Sequence, residues 1–287
     1  MRLVSTLAAA AFALACTPAA WAQEATAPAQ GGERESVFSG DYLVVGVLGA
    51  VTPSYDGSDD YVVTAYPLVQ GSFKGVGFSP SAGGLTLDFI NDRPGSSVQF
   101  SFGPTARIRS NRDGRVKDDV VKLLPDLDTA IEVGPSVGVT FPGVLNPYDG
   151  LSFSANAKWD VAGAHEGMTI APSVSYRTPL SRGTLAVLSV GAEYADDDFM
   201  DYYYTVTPEA SAVTGLPVFQ AEGGFRSVGA NLLMGFDLNG NLEDGGLAVF
   251  AIAGYSRMLG DAKDTPFTSI RGSADQWTGG VGLAYTF

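Results

Sequence analysis

The last nine residues, GGVGLAYTF, constrain the fold of this chain more than any other segment. Val281, Leu283, Tyr285 and Phe287 alternate with Gly280, Gly282, Ala284 and Thr286, a period of two that belongs to a strand with one apolar face. A water-soluble enzyme has no use for a terminal strand that exposes a ring; a barrel whose outer surface faces lipid does. Beyond residue 22, no apolar stretch approaches the ~20 residues of a membrane helix. A membrane crossing by this chain must therefore be made of strands.

The strand also resembles the terminal signal read by the outer-membrane barrel assembly machinery. The other end agrees. Met1-Arg2 is a minimal positive region, Leu3 to Ala15 is too short to span a bilayer, and Ala20-Trp21-Ala22 is a small-x-small cleavage site. The expectation is a secretory signal, residues 1–22, removed after Ala22. Cys16 raises a lipidated alternative, against which Ala13 stands where a lipobox wants Leu. Cleavage after Ala22 would remove the sole cysteine, and with it disulfides, thiol nucleophiles and thiolate metal sites.

Residues 1–22 carry one charged side chain, Arg2, so the rest holds 16 basic against 31 acidic residues. That excess argues against nucleic acid, whose phosphates need a basic face.

Residues 23–40 are polar, small and unpatterned, and read as a flexible periplasmic lead-in to a barrel domain over 41–287. Alternation then recurs, clearest where Leu151, Phe153, Ala155, Ala157, Trp159 and Val161 oppose Ser152, Ser154, Asn156, Lys158 and Asp160. A stripe carrying Lys and Asp suits a wet or ion-paired lumen, and its apolar counterpart suits lipid. Residues 97–108 repeat the scheme, with Val98, Phe100, Phe102 and Ile108 opposite Ser97, Gln99, Ser101, Thr105 and Arg107. The remaining candidates are 41–51, 61–71, 75–81, 84–90, 129–141, 167–177, 184–195, 225–237, 246–258 and 276–287.

The expected fold is all-β, a transmembrane antiparallel up-and-down barrel of about 12 strands, with 10–14 left open. An even count puts both ends of the barrel in the periplasm and the long connections 109–128, 196–224 and 259–275 outside. Loop 52–60 joins them only if 61–90 splits into three strands. Tyr42, Tyr61, Trp159, Tyr176, Tyr194, Tyr255, Trp277 and Tyr285 lie near strand ends and are expected to form an interfacial girdle.

Few residues suggest chemistry. His165 is the only histidine, and a lipid hydrolase would need it beside a serine, with Ser152, Ser154 and Ser173 on adjacent strands. No G-x-S-x-G motif supports that reading. Acidic clusters at Asp56/Asp59/Asp60, Asp196–Asp198 with Asp201, and Asp261/Asp264 could share divalent cations with lipopolysaccharide, but none shows a ligand pattern. Asp237-Leu-Asn239-Gly-Asn241 imitates half a calcium loop and then fails at Leu242 and Ala248, leaving a tight turn. No catalytic, cofactor or metal residue is assigned. Segment 196–224, with Tyr202-Tyr203-Tyr204, reads equally as a recognition surface or a packed lid.

Several segments together resemble the MipA/OmpV family of outer-membrane proteins. They are Pro53-Ser-Tyr55-Asp-Gly57-Ser58-Asp-Asp60, then Tyr203-Tyr204-Thr-Val206-Thr207-Pro208, Ser211-Ala212, Gly215-Leu216-Pro217 and Phe219-Gln-Ala221. Tyr255-Ser-Arg257-Met-Leu259-Gly260-Asp261-Ala262, Pro266, Gly272-Ser273, Gln276 and the terminal strand complete the set. Thr205, where the family often has Gly, and Glu209-Ala210 depart from the pattern. The resemblance implies an outer-membrane barrel without enzymatic activity or cofactor. It further implies a scaffold linking a lytic murein transglycosylase to a murein synthase.

The sequence reading is thus a non-enzymatic scaffold in the outer membrane, surrounded by lipid and lipopolysaccharide. Its partner contacts are expected from residues 23–40 and the turns near 91–96, 142–149, 178–183 and 238–245. The alternatives are a narrow porin-like channel, an outward-facing adhesin or receptor, and, remotely, a lipid hydrolase using His165.

Overall fold

The computed structural model describes residues 36–92 and 95–287. The expected signal and cleavage site, and residues 23–35 of the lead-in, lie outside the described residues. Twelve strands follow in order: β1 (Tyr42–Pro53), β2 (Tyr61–Phe73), β3 (Val76–Ser81), β4 (Gly84–Asp88), β5 (Gln99–Arg109) and β6 (Ala130–Pro142). The second half comprises β7 (Gly150–Asp160), β8 (Met168–Ser181), β9 (Thr184–Ala195), β10 (Gly224–Asp237), β11 (Gly246–Met258) and β12 (Asp275–Thr286). All neighbours are antiparallel, and β12 closes the barrel on β1 in the register Val44↔Thr286 to Val51↔Gly279. Beyond the last strand residue, the Phe287 N–H donates to the Leu43 carbonyl at 2.8 Å.

The expected alternation decides which side chains meet lipid. Val45, Val47, Phe100, Phe102, Phe153, Trp159, Val281 and Leu283 are all exposed on the outer wall, a band that water would not tolerate and lipid does. Inside, hydroxyls pair across the strands: Thr140 with Ser152, Ser154 with Ser173, and Ser175 with Ser189, each at 2.8 Å.

Rings mark both boundaries. At the loop-rich end, Tyr255 packs at a tilt against Trp277 and Tyr194 edge-on against Phe225. At the short-turn end, Tyr285 meets Phe287, and the Tyr176 hydroxyl donates to Asp149 at 2.6 Å. Tyr42 departs from the expected girdle. It stands on the inner register of β1 and packs edge-on against Phe38. Residues 36–40 depart too, forming a short 3-10 turn (Val37–Ser39) in place of an unpatterned lead-in. The Val37 N–H donates to the Glu243 carbonyl, tying this turn to the β10–β11 connection.

The seam between β2 and β3 is thin. Only Gly71↔Phe78, Ser72↔Gly77 and Phe73↔Val76 pair there. Among the described residues, Tyr61–Gln70 therefore has no ladder partner on that side. Phe73 and Val76 close a two-residue hairpin, so alternate residues back along β2, Pro67 among them, aim their backbone at this free edge. Pro67 has no N–H to lose there, which is where a strand tolerates proline. The edge is covered near its top by loop 110–129, from which Arg115 reaches the Thr64 hydroxyl and Lys117 the Tyr61 carbonyl.

The long connections are not open loops. Segment 196–223 contains α1 (Asp197–Tyr204) and α2 (Pro208–Thr214), and segment 259–274 contains α3 (Gly260–Asp264) and α4 (Pro266–Ser269). Asp196 caps α1 by accepting from the Phe199 N–H, while its other oxygen accepts from the Met168 N–H at the start of β8. Thr207 caps α2, Pro208 fits its first turn, and Gly215 ends it at a positive φ of 72°.

Candidate functional site

Two apolar clusters fill the loop-rich mouth. Phe199, Met200, Tyr203 and Tyr204 project from one face of α1 and pack with Ala195, Ala221, Met258 and Ala262. Tyr55, Val121, Val206, Leu216 and Phe267 form the second, drawn from four different loops. Tyr203 and Tyr204 are buried, so of the two readings of this segment the packed lid is the one observed.

Directly beneath the lid lies a buried ion network. Arg107 Nε donates to Glu132 Oε2 at 2.5 Å and Arg109 Nε to Glu132 Oε1 at 2.6 Å. The second nitrogens of both arginines reach Glu193 Oε1 at 2.7 Å. Arg226 binds the other oxygen of Glu193, then Asp56 at 3.1 Å and the Tyr204 hydroxyl at 3.1 Å. Because these groups rise from β5, β6, β9, β10 and the β1–β2 loop, the network braces the bore from several sides. The guanidinium groups of Arg109 and Arg226 lie over the Phe199 ring at 4.8 and 5.5 Å, which joins brace to lid.

Arg226 owes its place to a β-bulge. The β9–β10 register shifts between Phe225 and Ser227, and the extra residue, Arg226, turns into the mouth. Lys158 adds a further buried cation, held by the Asn156 side-chain oxygen.

Ionisation in the lid follows burial and partners. Burial pushes the Tyr204 hydroxyl up to about 12, against the opposing pull of Arg226. Burial alone would also raise the Asp118 carboxyl. Hydrogen bonds from Arg271 and from the Val121 and Val120 N–H groups outweigh it and hold Asp118 below its usual range.

His165 belongs to the brace. Its Nδ1 accepts from the Gly167 N–H at 3.0 Å, which leaves Nε2 to donate to Glu132 Oε1 at 3.3 Å. Neither nitrogen meets a serine. Ser152, Ser154 and Ser173 are engaged by hydroxyls within the lumen. The residue suggested for hydrolysis is thus brought to a carboxylate but to no nucleophile.

Members of the acidic clusters tie the loops together. Asp197 accepts from the Gly223 N–H, Asp201 from the Gln220 amide, and Asp261 from the Glu222 N–H. Among the described residues, no group of three or more His, Cys, Asp or Glu could hold a metal. Asp237 accepts from the Asn239 and Asn241 N–H groups, the turn expected there.

Glu132, Glu193 and Arg226 were not singled out by sequence reasoning. The signal was present: a charge within a lipid-facing barrel's strand must point inward. What the pattern lacks is the partner, since Arg226 and Asp56 are 170 residues apart.

Residues 45–287 match the family described as MltA-interacting protein MipA. No curated protein matches the chain in sequence. Among solved structures, it is similar to an outer membrane channel from Pseudomonas putida F1, at 13% identity, 91% coverage of this chain, 100% of that chain and a TM-score of 0.45. The outer membrane channel DcaP of Acinetobacter baumannii follows at 11% identity, 84% and 71% coverage and a TM-score of 0.37. The CymD monoaromatic hydrocarbon channel gives 9% identity, 87% and 89% coverage and a TM-score of 0.38.

Proposed function

We propose that this chain, which belongs to the MltA-interacting protein MipA family, is an outer-membrane barrel that works as a non-enzymatic scaffold for murein enzymes. One observation carries the reading: the loop-rich mouth is filled by a packed lid with an ion brace beneath it. A barrel so closed is poorly built for free diffusion, and what it offers a partner is its other end. In outer-membrane barrels the short turns face the periplasm, where murein lies.

That end has features a partner could use. Leu145 and Tyr148 in the β6–β7 turn and Leu238 after β10 are exposed apolar side chains. Asp149 holds the first of these turns in one shape by accepting from the Val144, Leu145 and Asn146 N–H groups. The family's name, MltA-interacting protein, points to a protein partner, and the resemblance implies a lytic murein transglycosylase.

The test is photo-crosslinking in the intact envelope. A photoreactive residue at Leu145 or Leu238 is expected to capture a murein enzyme, and one at Val213 or Ile270 on the lid is expected to capture none. Recovery of no murein enzyme from either short-turn position overturns the scaffold reading. Resolved conductance steps from the unmodified protein in planar bilayers would support the channel alternative, for which the hydroxyl-lined lumen is suited.

A further inference from the structure

We infer that loop 110–129 holds a site for a small organic carboxylate with an apolar tail, received by the guanidinium of Arg112. The residue is 7% exposed. Its guanidinium carbon lies 4.5 Å from the centroid of the Phe267 ring, with Tyr55, Tyr202, Tyr203 and Tyr204 nearby. Among the described residues it takes part in no ion pair or side-chain hydrogen bond, and Nε is buried without a partner. Arg107, Arg109, Arg226 and Arg271 are each paired with a carboxylate. In a chain with 31 acidic residues, a carboxylate for Arg112 was readily available.

A buried cation without a counter-charge is costly, and proteins ordinarily pair it. Arg112 is also held at a φ of 56°, in the left-handed region that side chains disfavour. Burial pulls its guanidinium down to about 10, which leaves it charged at neutral pH. The group is therefore a standing cation in want of an anion.

The loop provides room for one. Arg112 lines a cavity of about 370 Å³, walled by Val116, Val121, Leu124 and Pro125 and opening on the loop-rich face. This is within the range of small-molecule sites. The planar fork of a guanidinium matches a carboxylate, and the aliphatic walls suit a short hydrocarbon. Asp126 stands on the same lining, one oxygen accepting from the Gly114 N–H at 2.8 Å. Its charge disfavours a doubly charged phosphate more than a singly charged carboxylate. Lys122, also at the cavity, is already engaged by Asp119.

The experiment is titration calorimetry on the full chain folded in detergent, with isocaproate, isohexanol, leucine and inorganic phosphate as probes. Isocaproate is expected to bind saturably, and Arg112→Met to lose roughly tenfold to a hundredfold in affinity. Arg112→Met is also expected to melt no lower than wild type, because it removes an unpaired buried charge. Arg112→Lys, which keeps the charge and loses the fork, is expected to bind between the two, and serves if the Met variant does not fold. Equal binding of isohexanol, or unchanged binding by either variant, overturns the role of the guanidinium. Preference for phosphate or leucine overturns the ligand class. Absence of heat with all four probes overturns the site and leaves Arg112 a stacking partner of Phe267.

Discussion

Glu193→Gln should unseat the lid while leaving the barrel wall intact. Glu193 takes contacts from Arg107, Arg109 and Arg226, whose side chains are 10–11% exposed, and is itself 13% exposed. Solvent therefore screens little of the loss. The three arginines are balanced by Glu132, Glu193 and Asp56, with the Lys158 ammonium nearby. Removing one carboxylate leaves three guanidinium groups facing two. Breaking a buried pair by removing one partner costs about 3–5 kcal/mol. At 1.4 kcal/mol per factor of ten, the lid-open population should rise by roughly two to three and a half orders of magnitude. Planar-bilayer recording should show conductance steps absent from wild type, and hydrogen exchange should show α1 amides losing protection. Ser189→Ala, on the same strand as Glu193, breaks only the hydroxyl pair with Ser175 of β8 and should do neither. A Glu193→Gln protein that is electrically silent and keeps α1 protected would refute the idea that this network holds the lid.

Four further outcomes are expected. Asp118 is held below its usual range, so its share of stability is present above the unfolded carboxyl value near ~4 and lost as pH falls through the lower folded value. A spin label at Leu123 should thus become mobile only in strong acid, and at neutral pH in Asp118→Asn. His165→Ala should lower the melting temperature by opening a cavity between Glu132 and Phe199. Lipid A and phospholipid profiles of cells carrying it should match wild type, and a changed profile would revive the hydrolase reading. Phe102→Arg, on the exposed outer wall, should cost about 2–4 kcal/mol if the residue lies near the bilayer midplane, measured by urea unfolding in lipid vesicles. Gly57 adopts a φ of 99°, and a Cβ there would run into the Thr268 side chain. Gly57→Ala should therefore destabilise the lid by about 1–3 kcal/mol, read by hydrogen exchange in α4.

The barrel wall was legible because its signal is local. Period-two alternation and turn residues are written in adjacent positions, so twelve strand segments could be placed from the pattern, with a count of 10–14 left open that the closed barrel fixes at twelve. The lid was not legible for the opposite reason. Its contacts join Tyr55 to Phe267 and Asp118 to Arg271, residues 212 and 153 apart. Alternation also fails where a bulge re-aims a side chain, as at Arg226. One part of the lid was readable. Phe199, Met200, Tyr203 and Tyr204 recur at helical spacing, which favours a packed face over a row of exposed tyrosines.

Loop 110–129 links the two places where this barrel departs from a uniform cylinder. Its Val121 packs into the second apolar cluster, and Asp118 grips Arg271 beyond α4. The same loop sends Arg115 and Lys117 to β2, whose edge has no strand partner there. Backbone groups left bare in hydrocarbon are costly, so a wall with a free edge needs a cover. The cover is anchored largely through the lid. Arg115 and Lys117 are exposed contacts of small individual worth, whereas Asp118 is 7% exposed and bound by one guanidinium and two backbone amides. It follows that the lid and the thin seam are not independent. Loosening Asp118 releases the cover of β2 together with the mouth, whereas cutting Arg115 or Lys117 alone leaves both largely in place.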